Sequence, residues 1–507
     1  MATVVFLAVF LPMVFSANRH MLLGDTDTGI HIKAGEVILQ TRAIPKTDPF
    51  SFHSPPLPWT AHEWLSEVIM ALVHRAFGLT GIVIFFALII SSTYYFLFWT
   101  LRKENRNIIL STPLVFLVIA SSTLHWLARP HIFSLLLTLV YYYVLSIYQY
   151  HDRNRLWVLP LLMVTWANLH GGFIVGFLLI IIYLGGNVIR MPFLANSELT
   201  LSKNKVSVLA LALVGCVLAA LINPYGYHIL IRPFEVVSDR FLMDHITEFQ
   251  SPNFHGTLPF RYLLYLTIGL FAVSTVRVDI IELALVLLFA HMALYSARYI
   301  PLFAIIVCPI LVRRGQLLLE NTQGRIISFL RKRIENIALV DASLHGHLWI
   351  TGSLVLVCAG ILTGRIYFQF DEKVSPVTAI EFLKKEALPG NMFNNETFGD
   401  SLIYAAWPQY RVFIDGRSDM YGSLMREYID VVFLAPNWKN ILAKYKINWI
   451  LETADSPLSV LLSQGKDWQL IYADRFAHIY LLNKVSENQA ILRKFSDVKT
   501  LPPDKNG

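Results

Sequence analysis

The 507-residue chain is too apolar for a soluble protein: 55% of its residues are hydrophobic, 15% are charged, and the mean hydropathy is +0.52. Soluble domains carry about 25% charged residues. The formal net charge of +7 is explained by short basic loops between apolar runs, so it requires no nucleic-acid partner. All three cysteines lie within apolar runs, which is typical of small core residues rather than of disulfides or a metal site.

Apolar runs predict a polytopic α-helical membrane protein, because a membrane-spanning helix needs roughly 20 apolar residues. Basic clusters fall on alternate ends of the runs, which by the positive-inside rule places the amino terminus in the cytoplasm and the tail outside. A cleaved signal peptide is the alternative for the first run. The eleven predicted spans are 2–17, 79–101, 108–126, 132–150, 156–169, 172–189, 206–222, 261–276, 279–295, 299–312 and 348–364.

The predicted membrane domain, 1–368, carries two outer loops at 18–64 and 224–260, and a basic amphipathic segment at 315–340 on the cytoplasmic surface. In the first loop we expect a helix from Asp25 to Gln40 and an interfacial helix over 63–77. The tail, 369–495, alternates helix-like and strand-like segments, which predicts a small extracytoplasmic α/β domain. Its strands are expected at 390–394, 411–414, 447–452, 469–473 and 477–482.

The polar clusters of the chain fall at the outer ends of the predicted spans. Two carboxylates one residue apart, Asp25 and Asp27, can hold a divalent cation such as Mg²⁺ or Mn²⁺, or one can act as a base beside the other. Simple capping of the following helix is the alternative. Arg129 and Arg298 suit a phosphate because a guanidinium binds it bidentately. The remaining substrate-binding candidates are His31, His62, Glu63, His131, Asn168, His170, Asp415 and Arg417.

Four of these candidates have specific surroundings. His31 lies one helical turn after Asp27, which places both on one face. His170 opens a tight turn with Gly171 and Gly172. Asp415-Gly416-Arg417 follows a predicted strand, where α/β domains often place binding residues. A hairpin turn with an internal Asp–Arg pair is the other interpretation of that segment.

Together these motifs resemble the GT-C superfamily of polytopic glycosyltransferases, which use polyprenyl-phosphate-linked sugars. The segment 27–31, followed by Asp48-Pro49-Phe50, is similar to the first outer loop of oligosaccharyltransferase catalytic subunits. The resemblance implies Asp27 as the catalytic or metal-binding carboxylate, with Asp25 beside it. Segments similar to uncharacterised bacterial GT-C-like proteins are 62–67, 128–131, 167–172, 223–226 and 413–417.

The chain departs from oligosaccharyltransferases at two places. Arg129-Pro130-His131 stands where their second outer loop carries an acidic pair, and Phe398-Gly399-Asp400 matches their Trp-Trp-Asp-Tyr-Gly motif poorly. We therefore expect transfer of a single sugar, with inversion, to a glycan, lipid or protein acceptor on the extracytoplasmic face.

Two other functions are compatible with the sequence. A transporter or lipid flippase would carry ionisable residues midway through its spans, of which Glu282 and His291 are the main examples here. A non-catalytic subunit of a cell-envelope glycan assembly would use the first-loop acids structurally.

Overall fold

The protein is mostly helical, as seen in a computed structural model that describes residues 1–15, 20–105, 107–193, 201–256, 258–273, 277–321 and 346–499. Most of the predicted segment 315–340 lies outside these residues. The helices within them are α1 (Ala2–Phe15), α2 (Asp27–Thr41), α3 (Trp64–Asn105), α4 (Ile108–Ser122), α5 (His131–His151), α6 (Val158–Leu169), α7 (Ile174–Phe193), α8 (Lys203–Ala220), α9 (His228–Ser238), α10 (Arg240–His245), α11 (Pro259–Val273), α12 (Ile280–Tyr295), α13 (Ile300–Asn321), α14 (His347–Leu362), α15 (Val377–Glu386), α16 (Glu396–Ala406), α17 (Ser418–Tyr421), α18 (Ser423–Val432), α19 (Trp438–Lys444), α20 (Pro457–Gln464) and α21 (Gln489–Lys494).

The chain divides into two compact units. The membrane unit comprises Met1–Met21 and Thr80–Tyr367, and the loop–tail unit comprises Leu22–Leu79 and Phe368–Gly507. Helix α3 contributes to both and is broken at Gly78, whose φ is 62°. The loop–tail unit thus contains the first outer loop as well as the tail. The domain boundary predicted at 368/369 stays a prediction.

The membrane unit carries the predicted spans. In the described part of the chain, six helices are long and apolar enough to cross a membrane: Trp64–Glu104, Ile108–His125, His131–His151, Gly171–Met191, Lys203–Ala220 and Ala297–Glu320. Shorter apolar helices occupy the other predicted spans, at Ala2–Phe15, Val158–Leu169, Pro259–Val273, Ile280–Tyr295 and Leu348–Leu362. The predicted fold class is confirmed.

The charge noted inside a predicted span is neutralised within the membrane unit. The Glu282 carboxylate on α12 pairs with Arg313 on α13, and it accepts a second hydrogen bond from Arg314 at 2.8 Å. Nearby, Arg190 on α7 pairs with Asp279, which caps α12. Because buried charges need such partners, these pairs join three helices instead of leaving an ionisable group open for transport.

The loop–tail unit contains a four-stranded sheet of order β1-β2-β4-β3, made of β1 (Asn391–Asn394), β2 (Ile447–Thr453), β3 (Trp468–Ala473) and β4 (Ala477–Leu482). β1 and β2 are parallel, and the other two pairs are antiparallel. Helix α16 follows β1 directly, so its first residues lie at the carboxyl end of that strand.

First-loop and tail residues share one hydrophobic core in this unit. Ile30 and Val37 of α2 and Phe50 and Trp59 of the loop are buried with tail residues such as Leu402. The expected strand at 411–414 was wrong: the segment forms an isolated parallel bridge from Val412 to Ser51 instead. Its partner is the first loop and not the sheet, which is why strand periodicity predicted it incorrectly.

Candidate active site

Asp27 occupies the first turn of α2, where the helix dipole favours a carboxylate. The preceding Thr26 makes no side-chain cap for this helix. Its hydroxyl instead donates to the Thr397 carbonyl, at 2.9 Å, and to Asp400 Oδ2, at 3.0 Å. The capping alternative therefore does not hold for Thr26, whose side chain ties the start of α2 to α16.

Asp27 and Asp400 form a carboxyl pair. Their side chains share a hydrogen bond, and the Gly416 N–H donates to Asp400 Oδ1 at 2.9 Å. A Cβ added to Gly416 would lie 2.6 Å from Asp27 Oδ1 and 2.9 Å from Asp400 Oδ2. Both carboxylates therefore face the same small space beside Gly416, which a larger residue would fill.

The surroundings of this pair are strongly acidic. Burial, followed by the negative charges of Asp27 and Asp415, raises the pKa of Asp400 well above its usual range. Burial also raises the pKa of Glu396 to about 7, although a hydrogen bond from the Ser418 hydroxyl opposes the shift. Burial and the neighbouring acids therefore favour the protonated form of Asp400, whose carboxyl group shares its hydrogen bond with Asp27.

Arg417 neutralises the acids behind Gly416. Its Nη2 lies 2.6 Å from Asp48 Oδ1 and 2.7 Å from Asp415 Oδ2, and its Nε donates to Asp415 Oδ1 at 2.9 Å. Its guanidinium carbon lies 4.5 Å from the centre of the Trp59 ring and 5.0 Å from that of Phe50. We call this set the arginine clamp. The predicted internal Asp–Arg pair is thus present, with Asp48 as a third charged member that the sequence did not indicate.

The histidines of the first loop lie among glutamates. His31 Nδ1 is 3.4 Å from Glu67 Oε1, and His31 Nε2 is 3.7 Å from Glu63 Oε2. His62 Nε2 is 3.7 Å from the other Glu63 oxygen. Burial would lower the pKa of His31, but the Glu67 hydrogen bond and the charges of Glu63, Glu67 and Asp27 outweigh it and raise that pKa.

In the membrane unit, the short turn Thr247–Phe249 contacts both arginines that were predicted to bind phosphate. Arg129 Nη1 lies 3.0 Å from Glu248 Oε1, and the Arg298 guanidinium carbon lies 5.0 Å from the centre of the Phe249 ring. Both arginines act electrostatically on His125 and His131, whose ring centroids are 4.5 Å apart. The structure therefore gathers Arg129, Arg298 and His131 into one basic group.

His170 also lies in the membrane unit and contacts Ser134, whose hydroxyl oxygen lies 2.7 Å from His170 Nδ1. The Gly172 N–H donates to that nitrogen at 2.9 Å, which confirms the predicted tight turn. Asn168 has a different environment: its amide donates to the carbonyls of Val164 and Ile222, at 2.7 and 2.8 Å. These bonds join the ends of α6 and α8, and a role for Asn168 toward substrate stays a prediction.

The structure thus distributes the predicted site residues over two groups. Asp25, Asp27, His31, His62, Glu63, Asp415 and Arg417 belong to the loop–tail unit, whereas Arg129, His131, Asn168, His170 and Arg298 belong to the membrane unit. Sequence analysis missed Asp48, Asp400 and Glu67. A Cβ at Gly399, beside Asp400, would lie 2.1 Å from the Ile414 carbonyl oxygen, but this close approach is visible only in the structure.

No family model matches the sequence, and no curated protein matches it. Solved structures do match. The archaeal oligosaccharyltransferase AglB from Archaeoglobus fulgidus, in complex with an inhibitory peptide and a dolichol-phosphate, aligns with a TM-score of 0.54 at 10% identity, over 90% of this chain and 69% of that one. ArnT from Cupriavidus metallidurans, bound to undecaprenyl phosphate, aligns with a TM-score of 0.50 at 14% identity, over 96% of this chain and 97% of that one.

A further structure agrees: the apo form of the A. fulgidus oligosaccharyltransferase gives a TM-score of 0.53 at 11% identity, over 96% of this chain and 74% of that one. Oligosaccharyltransferase and ArnT are both GT-C glycosyltransferases. The chain has the GT-C fold. The predicted resemblance is therefore confirmed at the level of fold, and the chain is an integral membrane protein.

Proposed function

We propose that this GT-C protein transfers a sugar from a polyprenyl-phosphate-linked donor to an acceptor at the extracytoplasmic face of a bacterial inner membrane. The observation that carries the proposal is the environment of Asp27. This carboxyl group starts α2, shares a hydrogen bond with Asp400 and faces the space beside Gly416. A carboxylate held in place in this way suits a general base.

In the proposed reaction, an acceptor hydroxyl attacks the anomeric carbon of the donor sugar. The bond from that carbon to the phosphate oxygen breaks, and the polyprenyl phosphate leaves with the bonding electrons. Asp27 takes the hydroxyl proton, and the direct displacement inverts the anomeric centre. Arg129 and Arg298 are the residues predicted to neutralise the departing phosphate, and His131 and His170 those predicted to position it.

The site also fits a divalent cation. Carboxylate oxygens of Asp27 and Asp400 approach one point beside Gly416, and such oxygens are the ligands that Mg²⁺ prefers. Among the described residues, no group of three or more His, Cys, Asp or Glu side chains is arranged to hold a metal ion. The chain would therefore supply two carboxylates, as in magnesium sites that are completed by phosphate and water. A bound cation would neutralise charge on the donor phosphate. The predicted pairing of Asp25 with Asp27 as ligands stays a prediction.

The solved structures support the substrate class. One oligosaccharyltransferase structure contains a dolichol-phosphate, and ArnT is bound to undecaprenyl phosphate. Both ligands are polyprenyl phosphates, the leaving group of the proposed reaction. A change of sugar would leave this leaving group the same, so the donor lipid is the best-supported part of the proposal.

The test uses the purified full chain in lipid vesicles with polyprenyl-phosphate-linked monosaccharides labelled in the sugar. Label lost from the lipid donor is counted in the presence of membrane extract as the source of acceptor. Asp27→Asn is expected to abolish release, while Asp244→Asn, which changes an exposed carboxylate of the second outer loop, retains it. Full release by the Asp27 variant would refute the assignment of the base.

A further inference from the structure

The arginine clamp buries one cation and two anions at a cost in solvation. The Asp48 and Asp415 side chains are fully buried, and that of Arg417 is 10% exposed. Burial would lower the pKa of Arg417, but the charges of Asp415 and Asp48 outweigh it and raise that pKa well above its ordinary value. Because apolar residues of similar size often stabilise a protein as well as a buried ion pair does, stability alone gives little reason for the clamp. Its geometry offers a better one.

Each carboxylate of the clamp is itself held in place. Asp48 accepts hydrogen bonds from the backbone N–H groups of Phe50 and Ser51, at 3.0 and 2.9 Å. Asp415 accepts from the Tyr421 hydroxyl at 2.6 Å. Arg417 thus connects two segments with fixed backbones, the Pro-rich part of the first loop and the loop that follows residue 414.

Gly416 lies between the two tail residues of the clamp. Its N–H donates to Asp400 Oδ1, and its α-carbon faces Asp27 so closely that a methyl group would overlap the carboxylate. A displacement of this loop by a few tenths of an ångström would therefore change both the hydrogen bond to Asp400 and the space beside Asp27.

The same contacts argue against a role of Arg417 in binding phosphate. A phosphate bound through the Nε–Nη2 edge of the guanidinium would need both of these donors. In this structure those two donors already bind the two oxygens of Asp415, at 2.9 and 2.7 Å. A phosphate would have to displace a buried carboxylate that Tyr421 also holds.

We propose that Arg417 is a positioning residue, which holds the Gly416 amide on Asp400 and thereby fixes the carboxylate of Asp27, instead of binding the donor phosphate. The inference rests on the proposed role of Asp27 in sugar transfer. It replaces the substrate-binding role that the sequence predicted for Asp415 and Arg417 with an indirect one.

The kinetic test compares Arg417→Lys with a matched control, Arg493→Lys, which changes an exposed arginine of α21. Lysine keeps the charge but loses the planar fork that joins Asp48 to Asp415. We expect kcat to fall about tenfold to a hundredfold, as for small misplacements of a catalytic group, while the donor KM stays within about twofold. A raised donor KM with unchanged kcat would show direct phosphate binding and overturn the inference, and so would unchanged values of both.

A second readout does not depend on activity. Hydrogen exchange by mass spectrometry is measured on the full chain for peptides covering 26–32 and 396–402, in the wild type, Arg417→Lys and Asp48→Asn. Both variants are expected to speed exchange in these two peptides and to leave β4 unchanged. Unchanged exchange in the two peptides, or an increase that extends through the whole tail, would contradict a positioning role.

The Asp27→Asn variant separates the two proposals. If this variant keeps full activity, the proposed function fails, and the exchange measurement alone decides the role of Arg417. If Asp27→Asn is inactive but Arg417→Lys is fully active, the proposed function stands and the positioning role fails.

Discussion

Glu452 lies in β2, with a side chain that is fully buried. Its Oε1 accepts hydrogen bonds from Asn395 Nδ2 at 3.0 Å and from the Thr453 N–H at 2.8 Å, whereas its buried Oε2 has no hydrogen-bond partner among the described residues. Burial raises the pKa of Glu452 to about 7. We therefore expect Glu452→Gln to stabilise the loop–tail unit above neutral pH.

The size of the effect follows from proton linkage. The folded pKa of about 7 lies above the ordinary glutamate pKa of 4.5, so below pH 4.5 both folded and unfolded chains hold the proton. As pH rises above 4.5, the unfolded chain loses this proton while the folded chain keeps it, so the free energy of unfolding falls. The fall ends once the folded chain also ionises, above about pH 7. At 1.36 kcal/mol per pH unit, the loss is about 1 kcal/mol at pH 5 and about 3 kcal/mol at pH 8.

The assay is thermal unfolding of the full chain in detergent, followed by hydrogen exchange in β2 and β4, at pH 5 and pH 8. For a unit of this size, 3 kcal/mol corresponds to about 6–12 °C in Tm. The glutamine variant should gain most of this at pH 8 and little at pH 5. Glu487→Gln, at an exposed position of the same tail, serves as the control. Equal pH dependence in wild type and Glu452→Gln would refute the reasoning.

Three further outcomes are expected. Gly399→Ala should lower the free energy of unfolding by about 1–3 kcal/mol, because the added Cβ would lie 2.1 Å from the Ile414 carbonyl oxygen. The control Gly465→Ala, whose added Cβ would lie 3.6 Å from its nearest neighbour, should be neutral. Equal Tm values for the two variants would contradict this prediction. Glu282→Gln should destabilise the membrane unit by about 3–5 kcal/mol, since it leaves two arginines uncompensated, and an unaltered heat-inactivation rate would oppose it. His31→Gln should flatten the loss of stability as pH rises from about 6.5 through the raised histidine pKa; an unchanged pH profile of Tm would count against it.

The hydrophobic runs were sufficient to predict the membrane helices, because a lipid environment imposes length and apolarity on each span directly. The same holds for α2, because the acidic residues at its start and its apolar spacing are local signals. Asp27 was singled out as the catalytic or metal-binding carboxylate because the segment around it resembles a known family, and nothing in the sequence indicated which residues it contacts.

Asp400 could not be predicted in this way. It lies within an otherwise apolar stretch of α16, and Thr26, whose hydroxyl binds it, is 374 positions away in the chain. Nothing local distinguishes this aspartate from a residue on a solvated helix face. Asp48 was missed for a similar reason, since its Pro-rich surroundings predicted an extended path but not a buried ion pair with Arg417.

The discontinuity of the loop–tail unit has a consequence for synthesis. Residues 22–79 leave the ribosome early, but the tail that completes their core begins at Phe368, after the rest of the membrane unit has been made. At a synthesis rate of about 5–20 residues per second, the apolar face of α2 stays without its tail partners for on the order of tens of seconds. During this interval the segment would be a natural client for a chaperone or for the lipid surface, and a chain stopped before residue 368 would leave Asp27 without the partner that orients it.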